Sequence, residues 1–243
     1  MPGCPPFTEK FSDANRERRM SLLTFLRERI RPAERSYSLN ELDLKLSRHL
    51  DFVGGFFVEA GANDGLKQSN TLFFERHRGW RGLLVEPIPE LAARCRRNRP
   101  QCLVENCALV ATDRPGQQIE MRYAHLMSIV KGAMKSDAAD SQHVNRGCEL
   151  QKTDTYEIAV PAGTLSALLD AHHITHIDLL SLDVEGYELE ALKGMDLTRH
   201  RPTWMLIEAR FRAEIDACLD PFYEVVAQLS HHDVLYRART PQK

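Results

Sequence analysis

The stretch FFVEAGANDG, residues 56–65, decides the fold of this chain. Its apolar run predicts a buried strand, and an acid and two glycines follow. Gly61 allows a tight turn, and together with Gly65 it lets a ligand approach the main chain closely. Glu59 would repel a pyrophosphate, whereas it would form a charge-assisted hydrogen bond with a cationic amino-acid group. We therefore expect a nucleotide-type sheet whose cofactor carries such a group, as S-adenosylmethionine does.

A second predicted strand also ends in an acid. Residues 80–85, WRGLLV, precede Glu86 and Pro87. A carboxylate at this edge of a parallel sheet suits the two hydroxyls of a ribose. Nicotinamide dinucleotides share that feature and stay an alternative, although they usually require Gly-x-Gly-x-x-Gly, which this turn lacks. A binding module without turnover is a further alternative, against which the two acids at adjacent strand ends argue.

Five motifs carry a family resemblance. They are EAGANDG at 59–65, SNT at 69–71, GWRG at 79–82, EP at 86–87 and SLDVEGYE at 181–188. With them the chain resembles the FkbM family of S-adenosylmethionine-dependent methyltransferases over residues 38–210. The resemblance implies a class I methyltransferase fold, an α/β fold with a Rossmann-like sheet. It also implies, most often, O-methylation of a hydroxyl on a natural product or sugar, and it leaves the acceptor open.

Composition limits the classes of partner. The 243 residues suffice for one α/β domain with an added segment, and 34 acidic residues nearly balance 32 basic ones. Such a balance gives no global field that would attract nucleic acid or an anionic membrane. The local arginine runs lack interleaved aromatic residues and are typical of solvated helix faces. We expect a small-molecule acceptor and neither a nucleic-acid nor a membrane partner. The oligomeric state stays open, with a homodimer as one alternative.

The predicted location is the cytoplasm. The N-terminus lacks the charged start and apolar run of a signal peptide, and no apolar run reaches the length of about 18 residues that a membrane span requires. The six cysteines include no Cys-x-x-Cys pair and no histidine partners at finger spacing. This pattern is typical of reduced thiols in the cytosol.

Residues 1–50 are predicted to form a disordered tail and a helical cap. Residues 1–14 are rich in proline and polar groups, and residues 21–30 carry apolar side chains at helical spacing. A capping-box pattern at 38–41 begins a second helix, whose apolar stripe runs from Leu39 to Leu50. These helices cover the core, and as an added hypothesis they form a roof over the cofactor.

Residues 51–243 are predicted to form a Rossmann-like methyltransferase domain, because strands and helices alternate along them. The sheet is expected to be mostly parallel, and the resemblance adds an antiparallel C-terminal hairpin. Predicted helices lie at 69–78, 89–98, from Thr164 onward and at 185–193, and predicted strands at 102–106, 177–182, 204–208, 222–229 and 234–236. Residues 111–160 fit no helix or strand cleanly, and we interpret them as an insertion that forms the acceptor pocket.

The candidate cofactor residues lie at strand ends, because ligands of such sheets bind outside the carboxyl ends of the strands. The turn after the first strand would hold the methionine end and Glu86 the ribose. Asn106 would either contact the adenine or serve as an ordinary turn residue. The full set is Glu59, Gly61, Asn63, Asp64, Gly65, Glu86, Asn106 and Asp183.

Methyl transfer to a hydroxyl is an in-line displacement, which requires precise positioning and a base for the hydroxyl proton. The candidate bases are Asp183, which ends a strand, and His125 and His143 in the insertion. Glu185 is expected to cap the following helix. A metal would need a third ligand such as Glu208, and we predict no bound metal.

Overall fold

The computed structural model describes residues 35–112 and 116–240. The predicted tail at 1–14 and the predicted helix at 21–30 lie outside these residues. The strands are β1 (Phe56–Ala60), β2 (Arg81–Val85), β3 (Leu103–Glu105), β4 (Ala108–Leu109), β5 (Gln118–Arg122), β6 (Ile129–Val130), β7 (Glu157–Gly163), β8 (Leu179–Leu182), β9 (Trp204–Glu208), β10 (Tyr223–Gln228) and β11 (Asp233–Ala238). The α-helices are α1 (Leu42–Ser47), α2 (Leu72–Arg78), α3 (Pro89–Asn98), α4 (Asp137–Gln151), α5 (Leu165–Ala171), α6 (Glu188–Lys193) and α7 (Arg212–Leu219).

Seven strands form the main sheet, in the order β10-β11-β9-β8-β1-β2-β3. β9, β8, β1, β2 and β3 run parallel, while β11 is antiparallel to β9 and to β10. The mostly parallel sheet and its antiparallel C-terminal hairpin are therefore confirmed. The strand order reverses between β1 and β8, and ligands of such sheets bind at the carboxyl ends beside this switch point.

Strand β1 is buried between two layers of helices, because its side chains alternate between the two faces of the sheet. Phe57 packs in a core that includes Leu46 of α1 and Phe73 of α2. Val58 packs in the opposite core, which includes Leu165 of α5. Packing on both faces holds the strand in place and thereby fixes the turn that follows it.

A second sheet has the order β4-β7-β5-β6. The expectation that residues 111–160 contain no regular element is therefore wrong. In β5, Ile119 and Met121 alternate with polar residues, which is the pattern of a half-buried strand. In α4 the buried Asp140 interrupts the apolar face, because its carboxylate accepts two backbone N–H groups of the loop before the helix. Because a charged residue occupies a core position, the apolar residues of α4 do not show a clear helical repeat in the sequence.

The capping box predicted at 38–41 does not form. The Ser38 hydroxyl accepts a hydrogen bond from the backbone N–H of Asp43 at 2.8 Å, and not from that of Glu41. Asn40 and Glu41 have left-handed φ angles of 53° and 55°, so the α-helix begins only after them. The buried leucines of α1 confirm the inner part of the predicted apolar stripe.

Two further helices begin later than predicted. α2 begins at Leu72, because residues 69–71 bind the Glu59 carboxylate. α6 begins at Glu188, because the turn at 185–186 has left-handed backbone angles. The predicted bounds of α3 and β9 are confirmed, as is the cap at Thr164, whose hydroxyl accepts the backbone N–H of the residue three positions later.

Candidate active site

A cavity of about 340 Å³ opens at the carboxyl ends of β1, β2, β8 and β9. The turns after these strands form one wall. The second sheet and its connections cover the cavity with apolar side chains, among them Met121 and Met127. Leu39 and Leu42, at the start of the N-terminal helical segment, also line the cavity, and the roof over the cofactor stays a hypothesis.

Gly61 brings the ends of two strands together. Its φ is +28°, and a Cβ at this position would lie 2.4 Å from the backbone oxygen of Asp183. The Asp183 N–H donates a hydrogen bond to the backbone oxygen of Ala60 at 2.8 Å. Only glycine permits this approach, which leaves the main chain of the turn open to the cavity.

Glu86 ends β2, lines the cavity and is only 4% exposed. Its Oε2 accepts the backbone N–H of Asn63 at 2.7 Å, and its Oε1 accepts that of Ile88 at 2.9 Å. Burial raises the pKa of Glu86 to about 8, although these two N–H groups act in the opposite direction. Each carboxyl oxygen has a second lone pair, so Glu86 can still accept the hydroxyls of a diol.

Glu59 is held by the protein itself. Its carboxylate accepts hydrogen bonds from the hydroxyls of Ser69 (2.8 Å) and Thr71 (2.6 Å) and from the backbone N–H of Asn70 (2.8 Å). The guanidinium of Arg99, which is fully buried, lies 3.8 Å from Oε2. Glu59 therefore fastens the segment before α2 to the end of β1.

Three of the predicted cofactor residues, Asp64, Gly65 and Asn106, are not in the cavity lining. The Asp64 carboxylate accepts two backbone N–H groups of the turn that follows it. The Asn106 amide donates to the backbone oxygens of Glu86 and Pro87. The structure thus gives Asn106 the turn role, while Gly61 and Asn63 lie on the cavity wall.

Acidic side chains gather where β8 and β9 end. Burial, together with the negative charges of Glu208 and Glu185, raises the pKa of Asp183 well above its usual range. Burial likewise raises the pKa of Glu208 to about 8 and that of Glu188 to about 7. Asp183 Oδ1 is buried and meets no hydrogen-bond donor within the described residues. A carboxylate oxygen in that state is available to a proton or a ligand.

The prediction that Glu185 caps the following helix is wrong. Its carboxylate accepts a hydrogen bond from Arg210 at 2.6 Å, and His143 Nε2 lies 3.2 Å from it without hydrogen-bond geometry. Glu188, the first residue of α6, accepts the backbone N–H groups of Val184 and Gly186, which precede the helix. The turn at 185–186 has left-handed backbone angles, and Tyr187, at the N-cap position of α6, makes no side-chain capping hydrogen bond.

The two candidate histidines have different positions. His125 lines the cavity with a left-handed φ of 56°, and its Nδ1 is buried without a hydrogen-bond partner in the described part of the chain. Burial, and next the positive charge of Lys67, lowers the pKa of His125, which keeps the ring neutral at neutral pH. His143 is not in the cavity lining, and its ring lies beside the Glu185 carboxylate.

The acids also form the set that a divalent cation would use. Carboxylate oxygens of Asp183, Glu188 and Glu208 lie within 4.8 Å of one another. Because burial raises the pKa of all three, they would have to lose protons before they bound a cation. The prediction of no bound metal stays a prediction.

Comparison with known proteins identifies the family. Residues 59–237 match the family model described as the methyltransferase FkbM domain, which is well over half of the chain. The chain belongs to the FkbM methyltransferase family. The nicotinamide alternative is thereby excluded, and the cofactor of this FkbM methyltransferase is S-adenosylmethionine.

Solved structures of methyltransferases are similar to this FkbM protein at low sequence identity. A methyltransferase FkbM from Methylobacillus flagellatus KT is 15% identical, with 76% of this chain and 43% of that chain covered and a TM-score of 0.44. A TehB-like S-adenosylmethionine-dependent methyltransferase from Corynebacterium glutamicum is 10% identical, with 94% and 100% covered and a TM-score of 0.43. The Burkholderia thailandensis 1,6-didemethyltoxoflavin-N1-methyltransferase, crystallised with S-adenosylhomocysteine, is 12% identical, with 98% and 94% covered and a TM-score of 0.40. A search of curated protein sequences returns no match.

The residues of the FkbM site fit this cofactor. Gly61 leaves the main chain open for a close approach, and Glu86 can accept the ribose hydroxyls. When bound, the cofactor supplies an electrophilic methyl group. The strand order and the family together give the class I methyltransferase fold that the sequence predicts.

The lining residues that the sequence did not assign to the site include Asn70, Ser181 and Arg210. Asn70 and Ser181 appeared only as letters of the family motifs, and Arg210, which binds both Glu185 and Glu208, was not considered. The signal for Asn70 was its place in SNT, between two hydroxyl residues that bind Glu59. The signal for Arg210 was its position two residues after an acid that ends a strand.

The Glu86→Ala variant tests the ribose assignment. Loss of a carboxylate that accepts the ribose hydroxyls should weaken S-adenosylhomocysteine binding about ten- to a hundredfold. Isothermal titration calorimetry measures this loss, and Glu90→Ala, an exposed acid on α3, is the matched control. An unchanged affinity in Glu86→Ala would assign Glu86 a structural role only.

Proposed function

We propose that this FkbM methyltransferase methylates a hydroxyl group of a small molecule, a natural product or a sugar, with Asp183 as the proton acceptor. The observation that carries the proposal is the Asp183 carboxylate, whose Oδ1 lies buried on the cavity without a donor in the described residues. A hydroxyl group of the acceptor would supply the hydrogen-bond donor that Asp183 Oδ1 lacks. That oxygen is buried, so bulk water does not compete with the acceptor hydroxyl for it.

A hydroxyl is a poor nucleophile unless its proton is taken up as the new bond forms. Burial and the neighbouring acids make the Asp183 carboxylate a stronger base than an exposed aspartate. The Asp183 and Glu208 side chains repel each other when both are charged, so the pair keeps one proton near neutral pH. Asp183 accepts the proton of the acceptor hydroxyl in its ionised form, whose population grows as pH rises through the raised pKa values of the pair.

The strand order separates the two substrates along one sheet edge. Glu86 ends β2, the glycine turn follows β1, and Asp183 and Glu208 end β8 and β9. The cofactor would lie over β2 and β1, and the acceptor over β8 and β9. Arg210, which donates hydrogen bonds to Glu185 and Glu208, holds the acids on the acceptor side.

His125 is a second candidate base, favoured by its neutral ring and its buried Nδ1 without a partner in the described residues. It belongs to the second sheet and not to the strand ends that hold the acids. A base at this position would require the acceptor to lie beneath the second sheet. Comparison of variants at Asp183 and His125 separates the two assignments.

The small-molecule acceptor and the cytoplasmic location are parts of the same proposal. The near balance of acids and bases supports a partner other than nucleic acid. The cysteine spacing supports a reducing compartment. None of the helices in the described residues is both long and apolar enough to cross a membrane.

The test is product analysis. The purified protein is incubated with methyl-deuterated S-adenosylmethionine and matched hydroxyl, amine and carboxylic-acid acceptors, with and without a chelator. We expect a labelled methyl ether that resists mild alkali, formed at the same rate in the presence of the chelator. N-methyl products alone would contradict O-methylation, and cofactor binding without any product would support the binding-module alternative. Loss of activity with the chelator would contradict the prediction of no metal.

A further inference from the structure

One buried amide of the cavity wall has an unused oxygen. Asn70 is 7% exposed and lines the cavity, and its Oδ1 has no hydrogen-bond partner within the described residues. Buried amide oxygens are nearly always hydrogen-bonded, so an unpartnered one on a cavity wall indicates a donor that arrives with a ligand.

The protein holds the Asn70 side chain in one position. Its amide nitrogen donates to the hydroxyl of Ser181 at 3.1 Å, and its backbone N–H donates to the Glu59 carboxylate at 2.8 Å. Ser69 and Thr71, on either side of it, bind the same carboxylate. Three contacts to one acid leave this segment little freedom, so the amide oxygen is fixed before a ligand binds.

The place of Asn70 in the sheet indicates which ligand group it meets. Ser181 of β8 lies opposite Glu59 of β1 in the register, so Asn70 lies at the switch point between these strands. The ribose acid Glu86 lies on the other side of β1, and the acid pair of Asp183 and Glu208 lies toward β9. The hydrogen-bond donors of the cofactor are the adenine amino group, the ribose hydroxyls and the α-ammonium group. The ribose hydroxyls are assigned to Glu86 and the adenine is attached beyond the ribose, so the α-ammonium is the donor left for Asn70 Oδ1.

We propose that Asn70 Oδ1 accepts a hydrogen bond from the α-ammonium group of S-adenosylmethionine. Glu59 then acts on the cofactor through Asn70, as a positioning residue, and Ser181 orients the amide. The nearby Glu59 carboxylate favours a cation at this point over the cofactor carboxylate. This inference depends on cofactor binding alone and not on the identity of the methyl acceptor.

The experiment compares ligands that differ by one group. Calorimetry is performed with S-adenosylhomocysteine, its desamino analogue, its descarboxy analogue and 5′-methylthioadenosine, which lacks the amino-acid end. Asn70→Leu keeps the side-chain size and removes the hydrogen bond. We expect it to weaken S-adenosylhomocysteine about ten- to a hundredfold and the desamino analogue less than about threefold. Unchanged 5′-methylthioadenosine affinity serves as the check that the nucleoside half of the site is folded.

The conservative variant Asn70→Asp keeps an acceptor oxygen, to which the Ser181 hydroxyl can donate, and it should retain most of the affinity for S-adenosylhomocysteine. Equal losses for S-adenosylhomocysteine and its desamino analogue in Asn70→Leu would overturn the proposal. The proposal would also be overturned if Asn70→Leu weakened S-adenosylhomocysteine but not its descarboxy analogue, because the Asn70 amide nitrogen would then face the cofactor carboxylate. Because no methyl acceptor is present, failure here is distinct from failure of O-methylation.

Discussion

Replacement of Asp183 by asparagine is expected to lower turnover about 10²- to 10⁴-fold and to leave the affinity for S-adenosylhomocysteine nearly unchanged. Asparagine has almost the same shape but cannot accept a proton from a hydroxyl. The measurement is kcat with the acceptor identified by product analysis, beside calorimetry. The variants His125→Gln and His143→Gln, measured in parallel, should show a much smaller decrease in kcat. Full activity in Asp183→Asn with a 10²-fold loss in His125→Gln would move the base to His125.

The same variant should be more stable than the parent protein at alkaline pH. Because folding raises the pKa of Asp183, the stability this group contributes is present at low pH and is lost as pH rises through the folded pKa. Asparagine removes that loss, so the melting temperature of Asp183→Asn should exceed that of the parent at pH 8.5 and match it more closely at pH 5. Asp154→Asn, an exposed control, should show no such difference.

The acid pair also predicts the pH dependence of turnover. A base is active when ionised, and burial raises the pKa of Glu208, the partner of Asp183, to about 8. The value of kcat/KM should therefore rise from pH 6 toward pH 8.5. A pH-independent rate over that range would mean that neither acid accepts the proton.

Arg99→Met should lower the free energy of unfolding by about 3–5 kcal/mol, because it leaves buried acids without their partner. Arg99 is fully buried and binds Glu75, the backbone oxygen of Gly65 and the hydroxyls of Ser69 and Thr71. Urea denaturation measures the change.

The matched control for Arg99 is Arg97→Met, at an exposed arginine near the end of α3, for which we expect a change within about 0.5 kcal/mol. A loss below about 1 kcal/mol in Arg99→Met would show that the pocket around the guanidinium relaxes to satisfy the acids in another way.

Short-range patterns made much of the fold predictable. The apolar run before Glu59 predicted β1, Pro89 and the following helix formers predicted α3, and Thr164 predicted a cap that the structure contains. The strand order then brought Glu59, Glu86 and Asp183 to one sheet edge, as expected from the rule that ligands bind at carboxyl strand ends.

Long-range contacts explain what the sequence did not predict. β5 becomes a strand by pairing with β7, across the whole of α4, and β6 contributes only two residues. Glu185 binds Arg210, 25 residues later in the chain, instead of capping α6, and no side-chain pattern signals the left-handed backbone at 185–186. The motif SNT contains the partners of Glu59. Only the folded structure shows that the hydroxyls of Ser69 and Thr71 donate to that carboxylate.

The hydrogen bonds that residues 69–71 donate to the Glu59 carboxylate affect how a mutation at Glu59 is interpreted. The Glu59 carboxylate orders residues 69–71 before a ligand binds. The conformational entropy of this segment is therefore lost on folding and not on ligand binding. A substitution at Glu59 would therefore weaken the cofactor complex by loosening residues 69–71, in addition to any contact that the Glu59 side chain makes in the cavity. A loss of affinity on mutation is commonly taken as evidence of a direct contact. At Glu59 it would also report the loss of order in residues 69–71.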